Sequence, residues 1–204
     1  MEATKNICGL AVCGGQSSRM GCDKSLISYH AKPQRYHVYD MLRKTCTETF
    51  ISCSATQLEE IKFPYKTMVD LPAFSSIGPM AALLTGFTHF PQHDLLIVGC
   101  DYPFLTAGTL IDFANSINKR RIAAAFCHRQ EPTYEPLLAW FSHRAAPALR
   151  KLFEKNEHSL QYFLQTANAE RYYPEDAEVM QSIDTPEAST AAKDRLGKRK
   201  LVTT

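Results

Sequence analysis

Several absences narrow what this 204-residue sequence can be. No apolar run approaches the roughly 20 residues that cross a bilayer as a helix. The opening residues 1–6 carry no hydrophobic core of a signal peptide ahead of the first strand-like stretch. The expectation is a cytoplasmic protein without a membrane partner. Its seven cysteines (Cys8, Cys13, Cys22, Cys46, Cys53, Cys100 and Cys127) are odd in number and contain no CxxC pair, so metal-binding and dithiol spacings are missing. Most lie in or beside apolar runs, where a thiol packs as a small hydrophobe. There is no internal repeat and no aromatic-basic interleaving of an RNA-binding kind, so no nucleic acid is expected as a partner. A net charge of +2 dictates no partner either.

Two common nucleotide-binding patterns are also missing. GxGxxG does not occur, and Gly15 is followed by Gln16 rather than by the spacing that leads to Gly-Lys-Ser/Thr, which argues against an NAD enzyme and a P-loop kinase. His89 and His93 stand four apart, as helical zinc ligands would, but Pro91 between them breaks the helix.

What is present is concentrated in residues 7–24, ICGLAVCGGQSSRMGCDK. Residues 7–12 are small or apolar and uncharged, as in a strand buried on both faces, and they run into Gly14-Gly15. Adjacent glycines let consecutive N–H groups converge on anionic oxygens. Ser17 and Ser18 add hydroxyls, and Arg19 and Lys24 add two positive charges. Together these groups suit a polyphosphate.

Further along, strands and helices alternate. Strands are expected at 49–53, 66–69, 94–100, 122–127, 137–140 and 179–183. Helices are expected from Arg35, from Met80 with Pro79 in its first turn, at 106–118 capped by Thr106, and in two pieces over 142–166 broken at Asn156-Glu157. This order predicts an α/β, three-layer, Rossmann-like fold with a mostly parallel sheet. The length suits a single domain, taken as 1–190, with 191–204 as a flexible basic tail. Asp101 follows one expected strand directly, in the crevice where such sheets bind ligands. On the residues alone, Asp101 is equally a cap or turn residue, and Asp184 before Thr185-Pro186 is equally a helix cap.

The 7–24 stretch resembles the signature Leu-x-Gly-Gly-x-Ser-x-Arg-Met-Gly-x-Asp-Lys of nucleotidyltransferases, with Gly14-Gly15, Arg19-Met20-Gly21 and Asp23-Lys24 in register and Cys13 in place of the usual alanine. Three later segments fit the same pattern: Asp70 with Gly78-Pro79-Met80-Ala81, Cys100-Asp101-Tyr102-Pro103, and Asp184-Thr185-Pro186-Glu187, whose family counterpart begins with Asn. The chain is similar to the MobA-like family, and within it to the molybdenum cofactor guanylyltransferases.

That resemblance implies GTP and molybdopterin as substrates. It also implies Mg²⁺ on Asp101 and Asp184, with Arg19, Lys24 and Asp101 catalytic. A nucleotide pocket would be lined by Val12, Cys13, Gly14, Gly15, Lys24, Ser52, Asp70 and Asp101. Ser54 competes with Ser52, and Glu135 and Pro136 are candidates for the substrate side or for a plain turn. Cofactor-biosynthesis proteins and apo-molybdoenzymes are the implied protein partners. The Gly-Gly pair leans toward GTP over CTP. A cytidylyltransferase, a sugar-phosphate nucleotidyltransferase and a non-catalytic GTP sensor remain the alternatives.

Overall fold

The computed structural model describes residues 6–13, 23–130 and 132–202. Its strands are β1 (Ile7–Val12), β2 (Glu48–Cys53), β3 (Thr67–Val69), β4 (Asp94–Gly99), β5 (Ala123–Cys127), β6 (Tyr134–Phe141) and β7 (Glu170–Tyr172). Its helices are α1 (Gln34–Leu42), α2 (Ala55–Leu58), α3 (Met80–His89), α4 (Ala107–Ser116), α5 (Ala146–Glu154), α6 (Leu160–Thr166) and α7 (Pro186–Val202). The strands form one seven-stranded sheet in the order β3-β2-β1-β4-β6-β5-β7. All pairings are parallel except those of β6, which runs antiparallel to both β4 and β5.

β1 is central because it can be buried on both sides. Cys8, Leu10 and Val12 point into the core under α3, α5 and α6, while Ile7, Ala11 and Cys13 point into the core under α1 and α4. With β1, β2, β3 and β4 parallel, their carboxyl ends gather on one edge, and the segments after them face the same crevice. The three-layer α/β expectation holds. Thr106 caps α4 by accepting from the Thr109 N–H, and the helical stretch after Ser142 breaks at Asn156, whose φ is +56°.

Two expectations are corrected. No strand forms over 179–183. Asp176 caps a 3₁₀ turn at Ala177–Met180, and Val179, Met180 and Ile183 are buried without joining a ladder. The seventh strand is instead Glu170–Tyr172, a polar edge segment with no apolar run to mark it. The expected flexible tail is also helical, since 191–202 continue α7. Ala188, Ala192 and Leu196, spaced by four, pack on Tyr29, Phe104 and Ile183, and Arg195 and Arg199 both pair with Glu178. No helix among the described residues is long and apolar enough to cross a membrane.

Helix α1 crosses β1 at Gly9, where a Cβ would stand 2.9 Å from Cys46 Sγ and 3.1 Å from Leu42 Cβ. Gly9→Ala is expected to cost about 1–3 kcal/mol by overpacking, read as a lower urea midpoint. Adding Cys46→Ala should restore part of it. An unchanged midpoint in Gly9→Ala would mean that α1 is not seated this closely.

Candidate active site

The carboxyl edge collects most of the residues expected from the sequence. β4 ends at Gly99 and delivers Asp101, whose Oδ1 is buried and finds no hydrogen-bond partner among the described residues. Gly99 is needed beneath it, because a Cβ there would collide with that oxygen. The Asp101 carbonyl accepts from the Ile183 N–H at 2.9 Å, which brings the next residue, Asp184, to the same place. Lys24 reaches in from the 3₁₀ turn Lys24–Leu26 and forms an ion pair with Asp184 Oδ1. Lys24, Asp101 and Asp184 therefore converge, although Lys24 and Asp184 are 160 residues apart.

Burial pushes the Asp101 carboxyl up to about 6. The nearby Lys24 pulls it down, while Asp184 and Glu135 add to the rise. A buried carboxylate with one oxygen lacking a donor, beside a half-exposed second carboxylate, has the chemistry of a hard-cation site. The residues fit a divalent ion. They do not by themselves complete its coordination, since among the described residues no group of three or more His, Cys, Asp or Glu side chains is placed to hold a metal.

At the other end of the crevice, Ser52 on β2 donates to the side chain of Asp70, just past β3. Burial pushes Asp70 up to about 6, and its Oδ1 also lacks a partner. Ser54 is not part of this pair, because it caps α2 and accepts from the Gln57 N–H. β3 and β4 are separated by three strand spacings of ~4.8 Å, so Asp70 and Asp101 lie roughly 14 Å apart along the edge, with β1 between them.

The inner wall is made of thiols. The Cys13 N–H donates to the Ser52 carbonyl and the Cys100 N–H to the Val12 carbonyl, both at 3.1 Å, so Val12 and Cys13 are held in the sheet. The buried thiols of Cys13 and Cys100 contact each other, and this contact together with burial raises Cys100 well above the ordinary thiol range. Burial pushes Cys53 up to about 12. Thiols this hard to ionise are inert packing groups, as expected for Cys53 and Cys100. Gly14, Gly15, Arg19 and Cys22 lie outside the described residues.

Glu135 and Tyr102 make a contact that the sequence did not reveal. The buried Tyr102 hydroxyl donates to Glu135 Oε2 at 2.7 Å, and His128 Nε2 donates to Oε1 at 2.7 Å. Pro136 sits where the β5–β6 register shifts between Ala125 and Cys127, an irregularity that tolerates its missing N–H. Glu135 thus lines the crevice and joins the ends of β4, β5 and β6 instead of forming a plain turn. Asp23, beside Lys24, accepts from the Ser25 N–H and from Gln57 Nε2, each at 2.8 Å.

A carboxyl raised by burial has its folded pKa above its unfolded one. Its contribution to stability is therefore full below about 4 and is lost as pH rises through about 6. At pH 7.5 without metal, Asp101→Asn should raise Tm by roughly 2–5 °C. The gain should shrink as pH falls from about 6 to about 4. A lower Tm for the variant at pH 7.5 would show that the ionised carboxylate is held by compensating donors.

Residues 9–172 match the family described as the MobA-like NTP transferase domain. A "Molybdenum cofactor biosynthesis bifunctional protein" from Synechocystis is 27% identical over 180 residues; the match covers 88% of this chain and 51% of the relative, so the chain spans about half of that protein's length. A "Probable molybdenum cofactor guanylyltransferase" from Nostoc is 27% identical over 187 residues, covering 89% of this chain and 88% of its own. Among solved structures, the fold is shared with "Molybdopterin-guanine dinucleotide biosynthesis protein A" from Archaeoglobus fulgidus. The TM-score is 0.77 at 19% identity, over 94% of this chain and 99% of that one. With residues 9–172 of its 204 matched by that family, the chain belongs to the MobA-like NTP transferase family.

Proposed function

We propose that the protein transfers GMP from GTP to the terminal phosphate of molybdopterin, releasing pyrophosphate and forming molybdopterin guanine dinucleotide. The observation that carries this reading is the convergence of Lys24, Asp101 and Asp184 on the carboxyl edge beside β1, with the Ser52–Asp70 pair across the same crevice. The family's chemistry and the names of its relatives supply the substrates.

In this reading the nucleotide lies across the strand ends. The guanosine end sits at Asp70 and Ser52, where a buried carboxyl oxygen without a partner can accept from a ligand N–H or hydroxyl. The triphosphate lies over the loop after β1, with Gly14 and Gly15 supplying backbone donors. Lys24 and Arg19 neutralise charge that builds on the departing pyrophosphate. The attacking phosphate is already an anion, so alignment and charge neutralisation suffice and no general base is needed.

Asp101 and Asp184 would hold Mg²⁺, which when bound supplies positive charge between the two phosphates that must approach each other. Lys24 would exchange its ion pair with Asp184 for the charge that grows on the departing pyrophosphate. Glu135 holds Tyr102, and through it the turn that carries Asp101, while Cys13 and Val12 form the floor. In this reading the protein works in the cytoplasm.

Pyrophosphate release measured with each of the four nucleoside triphosphates, Mg²⁺ and molybdopterin should occur with GTP and require the acceptor. Release with CTP instead would move the protein to the cytidylyl branch of the family, and release with neither would overturn the reading. Lys24→Ala is expected to lower kcat/KM by about 100-fold or more, and Asp101→Asn to abolish metal-dependent turnover. Normal turnover in either variant would remove that residue's assigned role.

A further inference from the structure

A lysine that meets charge as it develops must be held in place, and the turn carrying Lys24 is held from α2. Asp23 is the N-cap of the 3₁₀ turn Lys24–Leu26, and one of its carboxylate oxygens accepts from the Ser25 N–H at 2.8 Å. The other oxygen accepts from Gln57 Nε2 at 2.8 Å, across 34 residues of sequence. Gln57 is itself fixed, because it closes the capping box of α2. Its Oε1 accepts from the Ser54 N–H at 3.0 Å, and its own N–H donates to Ser54 Oγ at 3.3 Å. Both ends of the amide are therefore committed, the oxygen to its own helix and the nitrogen to Asp23.

A capping box asks only for an acceptor at this position, and glutamate serves as well as glutamine. An N–H that can satisfy a carboxylate is what only the amide adds. Without it, Asp23 Oδ2 would lose its donor, the carboxylate would be free to turn, and the start of the 3₁₀ turn would lose the tie that orients its first residue, Lys24.

We infer that Gln57 is a positioning residue for the reaction: through Asp23 it sets the placement of Lys24 over the leaving phosphates. This rests on the reading of Lys24 as a phosphate-binding residue. The effect falls on the transition state, since Lys24 meets charge that develops only as pyrophosphate departs.

Gln57→Glu separates this role from a merely structural one. It keeps the capping box but sets a second carboxylate against Asp23 in place of a donor. The expected result, in GTP- and molybdopterin-dependent pyrophosphate release, is a kcat about 10- to 100-fold lower with a KM for GTP changed by less than about threefold. The thermal midpoint should stay near that of the unsubstituted protein. The double variant Asp23→Asn/Gln57→Glu reverses the polarity of the pair, with an amide at position 23 donating to a carboxylate at position 57, and should exceed both single variants in kcat. Lys24→Ala is measured alongside. If Lys24→Ala is impaired while Gln57→Glu turns over normally, or if the double variant is no better than its singles, Gln57 is not a positioning residue and the inference is overturned. If Lys24→Ala turns over normally, the phosphate reading fails, and the inference falls with it.

Discussion

A carboxylate taken out of water organises this molecule. Asp101 stands just past the end of strand β4 with its Oδ1 buried and lacking a donor among the described residues, and burial, helped by Asp184 and Glu135, pushes its pKa up to about 6. A buried carboxyl oxygen left without a donor is among the costlier features a fold can carry. Its surroundings are arranged to keep it there. Gly99 clears space beneath the oxygen, Gln34 reaches the Tyr102 carbonyl, and His30 bonds to the Pro103 carbonyl. Glu135 holds the Tyr102 ring, and Ile183 ties the returning chain to the Asp101 carbonyl. Five ties thus converge on a turn of about five residues, which is how a polar position can be held at the edge of a stable sheet.

The last of these ties explains the C-terminal helix. Asp184 lies on a stretch with no ladder to fix it, so its placement depends on what packs against that stretch. Helix α7 supplies this. Ala192 and Leu196 press on Ile183, and Arg195 and Arg199 both grip Glu178 on the preceding turn. Surface ion pairs contribute little singly, but two arginines sharing one carboxylate that is mostly buried also order the backbone beneath them. The helix is placed to act on the site through Asp184, by packing against the neighbouring Ile183.

Much of this was legible in the sequence wherever burial on both faces leaves an unbroken apolar run, as in β1 and β4, or where a cap names its helix, as Thr106 does. What was not legible has physical reasons. Edge strand β7 is Glu-Arg-Tyr, because a strand with one neighbour need not be apolar. The buried side chains of 179–183 imitate a strand, since apolar spacing reports burial and not ladder formation. The packed face of α7 is two alanines and a leucine among charges, too thin a stripe to stand out. At the site, motif residues could be named one by one, but pairings such as Tyr102 with Glu135, 33 positions apart, exist only once the sheet order is known. The Ser54-x-x-Gln57 capping box could have been read from sequence; the turn of Gln57 toward Asp23 could not.

The sign of the local charge completes the argument for a cation. Among the described residues, Lys24, Asp184 and Glu135 all act on Asp101, and Lys24 is already committed to Asp184. Left so, the acidic side of the crevice repels a polyphosphate. In the proposed reading, a divalent ion held by Asp101 and Asp184 would reverse that sign and free Lys24 from its pairing with Asp184. Asp101, whose ionised form is costly in the folded protein, would then help bring two anions into contact. The raised pKa of Asp101, its orphaned oxygen and the Lys24–Asp184 pair are the features that a bound positive charge, as proposed, would satisfy together.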